Sequence, residues 1–325
     1  MTLHISEAEV RAVLTMPLAV EAVEEISRKQ ATGEVVVHPR RRFELPGGGF
    51  FHYMAAADFS AGFVAMKQYT FVRGKLRFLV PLYEMVTGDL LALIEADYMG
   101  QLRTGAASGV ATKYLARKNA RVAAIIGTGG QARTQLEAIA AVRKLESARA
   151  YGRDAAKREK FCKEMSERLG IPVQACASAA EAVRGADIVC TATTAAQPVV
   201  NGTDLSPGAH INAIGANHAH KRELDDEVVA SADIIVVDSV EQSRQEAGDL
   251  IIAFHGDEIC WTGVKKFSEI VAGKTSGRTS DTEVTLFKSN GIASWDLAVA
   301  MKVYVMAREK KFGRDLPLWS DGGKG

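Results

Sequence analysis

The sequence has little of what marks a disulfide-stapled, nucleic-acid-binding or membrane-spanning protein. Four cysteines occur in 325 residues, Cys162, Cys176, Cys190 and Cys260. None lie at C-x-x-C spacing, so they are expected to be small buried residues in a reducing compartment, not a disulfide framework or a zinc site. Neither charge is in excess. The 40 basic and 39 acidic side chains leave a formal +1, which offers no footprint for nucleic acid and no field for an anionic membrane. No apolar run is long enough to span a bilayer. Residues Met1 to Val10 lack a basic stretch followed by an apolar one, so a cytoplasmic protein is the expectation. Internal repeats and low-complexity linkers are missing too. What remains is a chain with room for two domains, each able to bury a core.

The stretch Arg121 to Ala132 is the most informative. Val122 to Ile126 is apolar throughout, as in a strand buried on both faces of a parallel sheet. Gly127, Gly129 and Ala132 follow at G-x-G-x-x-A spacing, with Thr128, Gly130 and Gln131 between them. Thr134 to Arg143 then reads as a helix. Strand, glycine turn and helix form the dinucleotide fingerprint. Gly127 permits the tight turn, Gly129 lets backbone N–H groups approach a pyrophosphate, and Ala132 lets the helix pack close. The helix N-terminus favours the phosphate charge. An ordinary strand-to-helix turn is the competing reading.

Before this stretch the pattern is β-rich. Ser6, Glu7 and Glu9 open a helix, and Pro17 to Gln30 has the apolar stripe of a second. Strands are expected at Val35–Glu44, Phe50–Ala55, Gly62–Phe71, Phe78–Met85 and Leu90–Ala96, with a turn at Thr87-Gly88-Asp89. Tyr98 to Tyr114 reads as a helix. From Ala120 onward strands alternate with helices. Strands at Val122–Ile126, Ala148–Tyr151, Val173–Ala175, Ile188–Thr191, Ile211–Ile214 and Ile234–Val237 give about six, as in a doubly wound fold. Val240–Ile252 and Trp261–Ile270 read as helical, Gly273–Thr282 as a polar loop, Val284–Lys288 as a strand and Ser294–Lys310 as a long helix. Lys311 onward reads as a tail. The expected class is α/β: a Rossmann NAD(P)-binding domain over 116–299, plus a β-rich α+β domain from 1–115 and 300–325.

Several motifs together resemble the ornithine cyclodeaminase/μ-crystallin family. They are Arg103 to Ser108, the fingerprint Gly127 to Ala132, Gly185-Ala186-Asp187, His210 to Gly215, Arg222 to Asp225, and Thr285 to Gly291. The resemblance implies a homodimer in which the β-rich unit is the substrate-binding and dimerisation domain, with its last helix returned to that domain and an active site in the cleft between domains. It also implies hydride transfer between a nicotinamide and the α-carbon of a small-molecule amino or imino acid.

Such a substrate needs its carboxylate held, and the planar fork of arginine suits that task. Arg103 is the first candidate and Arg41, from the run Arg40 to Arg42, the second. Solvated surface charge is the alternative for each. Lys67 matches the family's active-site lysine, either binding the carboxylate or supplying a proton. Its bland alternative is a strand-edge lysine facing solvent. Phe50, His52, Met54, Tyr69 and Tyr83 are candidate walls for the substrate side chain. Asn217 stands where cyclodeaminases carry an aspartate. An amide cannot take up a proton at neutral pH, which favours imine reduction over cyclodeamination. His218 and His220 are possible acids or ordinary loop residues. Asp296, near the start of the last helix, reads as a helix-dipole residue with a structural role.

For the cofactor, the second strand of the fingerprint unit ends Tyr151-Gly152-Arg153-Asp154. Arg153, with Lys157 nearby, suits a 2′-phosphate and points to NADP(H). Asp154 keeps NAD(H) open. Thr112 and Arg133 are candidate pyrophosphate contacts. Thr193, Ile214, Gly215, Ser289, Asn290 and Gly291 are placed around the nicotinamide by the resemblance. The leading expectation is an NAD(P)H-dependent reductase of α-imino acids. An ornithine cyclodeaminase with bound NAD and a non-catalytic crystallin-like binding protein are the alternatives.

Overall fold

Local signals start and stop the elements of the first hundred residues. The computed structural model describes residues 2–318. Strand β1 (Thr2–Ile5) leads into helix α1 (Glu7–Val13), where the Ser6 N–H donates to the Glu9 carboxylate at 2.9 Å and closes the exposed helix end. Helix α2 (Met16–Thr32) carries Pro17 in its first turn and ends at Gly33, whose φ of 85° only glycine adopts without strain. Strands β2 (Val35–Glu44), β3 (Phe50–Asp58), β4 (Phe63–Val72), β5 (Lys75–Glu84) and β6 (Leu90–Glu95) then form an antiparallel meander. Along β3 the side chains His52, Met54, Ala56 and Asp58 are buried while their neighbours are not, the period-two pattern of a sheet with one covered face. Helix α3 (Asp97–Leu115) follows.

The alternating half begins with β7 (Val122–Ile126), α4 (Gly130–Val142), β8 (Ser147–Tyr151), α5 (Ala155–Leu169), β9 (Val173–Ala175), α6 (Ala179–Val183) and β10 (Ile188–Thr191). It continues with β11 (His210–Ala213), α7 (Asp226–Ser231), β12 (Ile234–Val237), α8 (Val240–Glu246), α9 (Gly248–Ala253), β13 (Lys265–Lys266), α10 (Phe267–Val271) and β14 (Thr285–Lys288). Helix α11 (Ala293–Glu309) and strand β15 (Arg314–Leu316) close the described chain. No helix among the described residues is long and apolar enough to cross a membrane.

Two compact units result. One comprises residues up to Arg103 together with those from Ile292 onward; the other is Thr104–Gly291. These divisions differ from the sequence reading, which broke the chain after residue 115 and at 300. Helix α3 runs unbroken across the first division, so no change in local pattern marks it. In the first unit the strand order is β15-β1-β6-β5-β4-β3-β2, and α11 packs on β3, β4 and α2. The start of α11 is pinned to α2, where Ser294 Oγ donates to Gln30 Oε1 at 3.1 Å and Trp295 is fully buried. In the second unit all neighbours are parallel, in the order β13-β12-β14-β11-β10-β7-β8-β9. With β7 as the first strand this is a doubly wound α/β sheet that reverses between β7 and β10.

Four readings need correction. The parallel sheet has eight strands, not about six, and β14 lies between β11 and β12. That place follows from pairing with His210–Ala213 and Ile234–Val237, both far earlier in sequence, which periodicity does not encode. The region after Lys311 is not all tail: Arg314–Leu316 pairs antiparallel with Thr2–His4, while residues 319–325 lie outside the described chain. Val240–Ile252 is two helices, because at Gly248 the chain passes so close to Lys221 that a Cβ would lie 2.0 Å from its carbonyl oxygen. Trp261–Ile270 is not one helix but a 3-10 turn, the short strand β13 and α10. Among the cysteines, Cys162, Cys176 and Cys190 are buried and Cys260 is exposed.

A polar group is built into the middle of the parallel sheet. His210 on β11 is fully buried, with Nδ1 2.9 Å from Thr285 Oγ1 and Nε2 3.2 Å from Asn212 Oδ1. Burial, followed by the nearby Arg278, lowers its pKa to about 3. The unfolded imidazole protonates near pH 6.5, so falling pH loads a proton onto the unfolded chain and not onto the folded one. Stability contributed here is complete above pH 6.5 and declines by up to about 1.4 kcal/mol per pH unit below it. Urea unfolding of wild type and His210→Gln at pH 7.5, 5.5 and 4.5 is expected to show the wild-type advantage shrinking toward acid; a constant gap would refute the assignment.

Candidate functional site

In the first unit the antiparallel register gathers the polar cluster. Lys67 on β4 lies directly opposite Met54 on β3, and Tyr69 opposite His52. Opposite residues share a face, and this face is covered by α11. Lys67 is 4% exposed, so it is not the solvent-facing strand lysine of the bland reading. Its Nζ is 3.1 Å from Asp296 Oδ1. Arg103, near the middle of α3 and 6% exposed, directs Nε to the same oxygen at 3.1 Å. One carboxylate oxygen therefore serves two buried cations. Arg103 Nη1 and Asp296 Oδ2 are buried and have no partner among the described residues. Phe78 and Tyr69 flank the ammonium, their ring centroids 5.1 and 5.8 Å from Nζ. His52 Nδ1 and Tyr69 Oη are 2.6 Å apart. Gly100 leaves room for the ammonium, since a Cβ there would come within 3.4 Å of Nζ.

Burial lowers the pKa of Lys67 to about 8. Arg103 adds to that effect, Asp296 opposes it, and Arg40 contributes a further lowering. Of the arginine run, Arg40 is the member whose charge bears on Lys67, and Arg42 pairs opposite His52. The register shifts between His38 and Arg41, and Arg41 pairs opposite Tyr53, on the face away from Met54 and Lys67. Arg41 is exposed, so the structure does not bring it to the cluster. Tyr83 pairs with Val64 and likewise faces away. Phe50, His52, Met54 and Tyr69 remain on the Lys67 face. Asp296 is the residue the sequence reading undervalued. Its position near a helix start suggested a dipole contact, whereas its partners come from β4 and α3, about 190 or more residues earlier.

In the second unit the glycine turn has two distinct glycines. Gly127 has φ +114°, and a Cβ there would lie 2.4 Å from the Ala192 carbonyl oxygen. Gly129 has φ −82° and caps α4, with nothing within 4 Å of where its Cβ would be. Space therefore lies open over the helix N-terminus, with Gly129 and Gly130 exposed and Thr128 and Gln131 half-buried. Ala132 is fully buried. Arg133 is engaged beneath the turn, donating to the Thr128 and Gly129 carbonyls at 3.2 and 3.0 Å and pairing with Glu164 at 2.8 Å. Thr112 is not brought to the turn. It is fully buried and its hydroxyl accepts from Asn212 Nδ2 at 3.0 Å. Beyond β8, Arg153 is exposed, and Asp154 is occupied as the cap of α5, accepting from the Lys157 N–H at 3.0 Å.

Three buried acids brace the loops at the strand ends. Glu223 accepts from Thr191 Oγ1 at 2.9 Å, from the Thr193 N–H and hydroxyl at 2.7 Å each, and from the Gly215 and Ala216 N–H groups at 2.7 and 3.2 Å. It joins the loop after β10 to the loop after β11, which carries Ile214, Gly215 and the half-buried Asn217. Asp249 accepts the Glu223 and Leu224 N–H groups and pairs with the fully buried Lys288 at 2.8 Å. Lys288 also donates to the Ala216 carbonyl. Asp238 accepts from Ser289 Oγ and from the N–H groups of Asn290 and Gly291 at 3.1, 2.8 and 2.6 Å. Desolvation raises the Asp238 pKa against those bonds. The sequence carried one signal for Glu223, its place in the Arg222–Asp225 motif, but nothing in it revealed the donors.

Comparison with known proteins gives these residues a context. The model of the ornithine cyclodeaminase/mu-crystallin family matches residues 2–311. The chain belongs to that family. Among its relatives, a Δ1-pyrroline-2-carboxylate reductase of Bacillus cereus is 40% identical over 240 residues, 72% of each chain. Among solved structures, Δ1-pyrroline-2-carboxylate reductase of Thermococcus litoralis, in complex with NADH and L-proline, superposes with a TM-score of 0.92 at 37% identity. That match covers 97% of this chain and 100% of the other. An archaeal alanine dehydrogenase dimer with bound NAD gives a TM-score of 0.91 at 35% identity, over 98% and 99% of the two chains.

The two glycines of the turn have separable roles. Gly127→Ala meets both a carbonyl and an unfavourable φ, so a loss of about 3 kcal/mol is expected in chemical denaturation. Gly129→Ala, with open space and an ordinary φ, should leave stability within about 0.5 kcal/mol. Equal losses in the two variants would contradict the geometry.

Proposed function

We propose that the chain is an NAD(P)H-dependent reductase of α-imino acids, acting on cyclic imines such as Δ1-pyrroline-2-carboxylate or on the imine of a 2-oxo acid. The observation that carries the reading is the buried cluster in which Lys67 and Arg103 share one oxygen of Asp296. With a single anion for two cations, the cluster has positive charge in excess. Arg103 Nη1, buried and unpartnered among the described residues, is suited to a substrate carboxylate. The relatives described above, named as reductases and a dehydrogenase of such compounds, point the same way.

The donor set of the second unit suits a nicotinamide dinucleotide. The helix N-terminus at Gly129 to Gln131 is open for a pyrophosphate, and the loops carrying Thr193, Ile214, Gly215, Ser289, Asn290 and Gly291 are assigned to the nicotinamide side. The cofactor, when bound, supplies the hydride. Arg103, supported by Arg40 in place of Arg41, holds the carboxylate. Lys67, with its pKa near 8, is protonated at neutral pH yet able to release its proton to the substrate nitrogen. Met54, Tyr69 and Phe78 supply an apolar and aromatic wall. Asn217 hydrogen-bonds without accepting a proton, which favours reduction over expulsion of ammonia from a diamino acid.

We assign the coenzyme preference to NADP(H). Arg153 is exposed and without an ion-pair partner among the described residues, whereas Asp154, the acid that would favour NAD(H), is tied to its own helix. The NAD(H) complexes of the relatives make NAD(H) the alternative. We also assign a homodimer, as in the archaeal alanine dehydrogenase.

Purified protein given Δ1-pyrroline-2-carboxylate and NADPH should form proline and oxidise the coenzyme. Protonated Lys67 is the active form, so kcat/KM should be level below about pH 8 and fall about tenfold per unit above it. Lys67→Met should lower kcat/KM by about 10²- to 10⁴-fold. Release of ammonia from ornithine with no net coenzyme change would overturn the assignment. Arg153→Ser should reduce the ratio of NADPH to NADH efficiency about tenfold; an unchanged ratio would remove Arg153 from that role.

A further inference from the structure

Lys67 and Arg103 are the groups assigned to the substrate. Among the described residues, Asp296 is the only acidic side chain within ion-pair distance of either cation. It lies in the first turn of α11, 1% exposed, where the Ser294 and Trp295 contacts to α2 fix the helix start. Both cations reach the same oxygen, at 3.1 Å each. Arg103 does so through Nε, the nitrogen on the chain side of the guanidinium. That tether fixes the plane of the fork and leaves Nη1 for a ligand.

We propose that Asp296 is a positioning residue that keeps Lys67 protonated between two arginines and aims Arg103 at the substrate carboxylate. This rests on the imine-reductase reading of the same cluster. The groups facing Lys67 come from every element around it: Arg40 on β2, His52 on β3, Tyr69 on β4, Arg103 on α3 and Asp296 on α11. His52 and Tyr69 are hydrogen-bonded to each other and bring no opposite charge. Arg40 and Arg103 both push the ammonium toward its neutral form. Among the described residues, Asp296 is the anion that opposes them. Exchanging it for an amide keeps an acceptor oxygen for the two cations, removes the charge and puts an NH2 group in place of Oδ2. Exchanging it for glutamate keeps the charge and displaces the oxygen by one methylene.

The two exchanges therefore separate the two tasks. The readout is calorimetric binding of pyrrole-2-carboxylate to the cofactor-free protein from pH 6 to 10, with reduction of Δ1-pyrroline-2-carboxylate measured alongside. Wild type should bind level to about pH 8 and weaken above it. Asp296→Asn should begin to weaken at least one pH unit lower, while at pH 6 it binds as tightly as wild type or more tightly, because an anion has been removed beside the site. Asp296→Glu should keep the wild-type pH profile and bind about tenfold more weakly at every pH. An unmoved profile in Asp296→Asn overturns the proposal. If that variant does not fold, unchanged affinity in Asp296→Glu overturns it. Failure of wild type to bind the probe or reduce the imine would instead sink the functional reading on which it rests.

Discussion

One carboxylate oxygen holds two buried cations, and the first unit is arranged to make that possible. An unpaired ammonium or guanidinium removed from water costs several kcal/mol, and removing one partner of such a pair leaves that cost exposed. Lys67 is carried inward by the alternation of β4, and Arg103 by a helix that begins right after the last strand of the meander. Neither element supplies an anion to these two cations. The chain provides one by returning near its end as α11, whose first turn presents Asp296 to both. The partial mismatch, two cations for one anion, is what suits the cluster to an anionic ligand.

The second unit uses the same physics with the opposite sign. Glu223, Asp238 and Asp249 are buried acids, and each is surrounded by backbone N–H groups or a buried lysine. Loops at the ends of parallel strands carry N–H groups that no ladder satisfies. A carboxylate inside such a loop accepts several at once and fixes its shape. Thr193, Gly215 and the Ser289–Gly291 segment are thereby held in place.

Family resemblance and local chemistry agree on the general reaction but differ in what they specify. The likeness to reductases of cyclic imino acids and to alanine dehydrogenase fixes the family. Under the proposed function, Asn217 bears on the choice of reduction over ammonia expulsion and Arg153 on the coenzyme.

Much was legible from sequence alone. The strands of the meander, the fingerprint Gly127 to Ala132, the alternating second half and the long last helix follow from local periodicity, caps and glycines, which act within a few residues. Lys67 and Arg103 were marked by motif. What sequence left undecided depended on pairing between distant segments. The place of β14 between β11 and β12, the union of β15 with β1, and the donors around Glu223 are set by ladders and loops closing over tens to hundreds of residues. A one-residue register shift in β2 turned Arg41 away from Lys67, because successive strand side chains point to opposite faces. Asp296 could be read locally only as a helix-start acid. Tertiary packing, by bringing α11 onto β3 and β4, made it the shared counter-ion of the site.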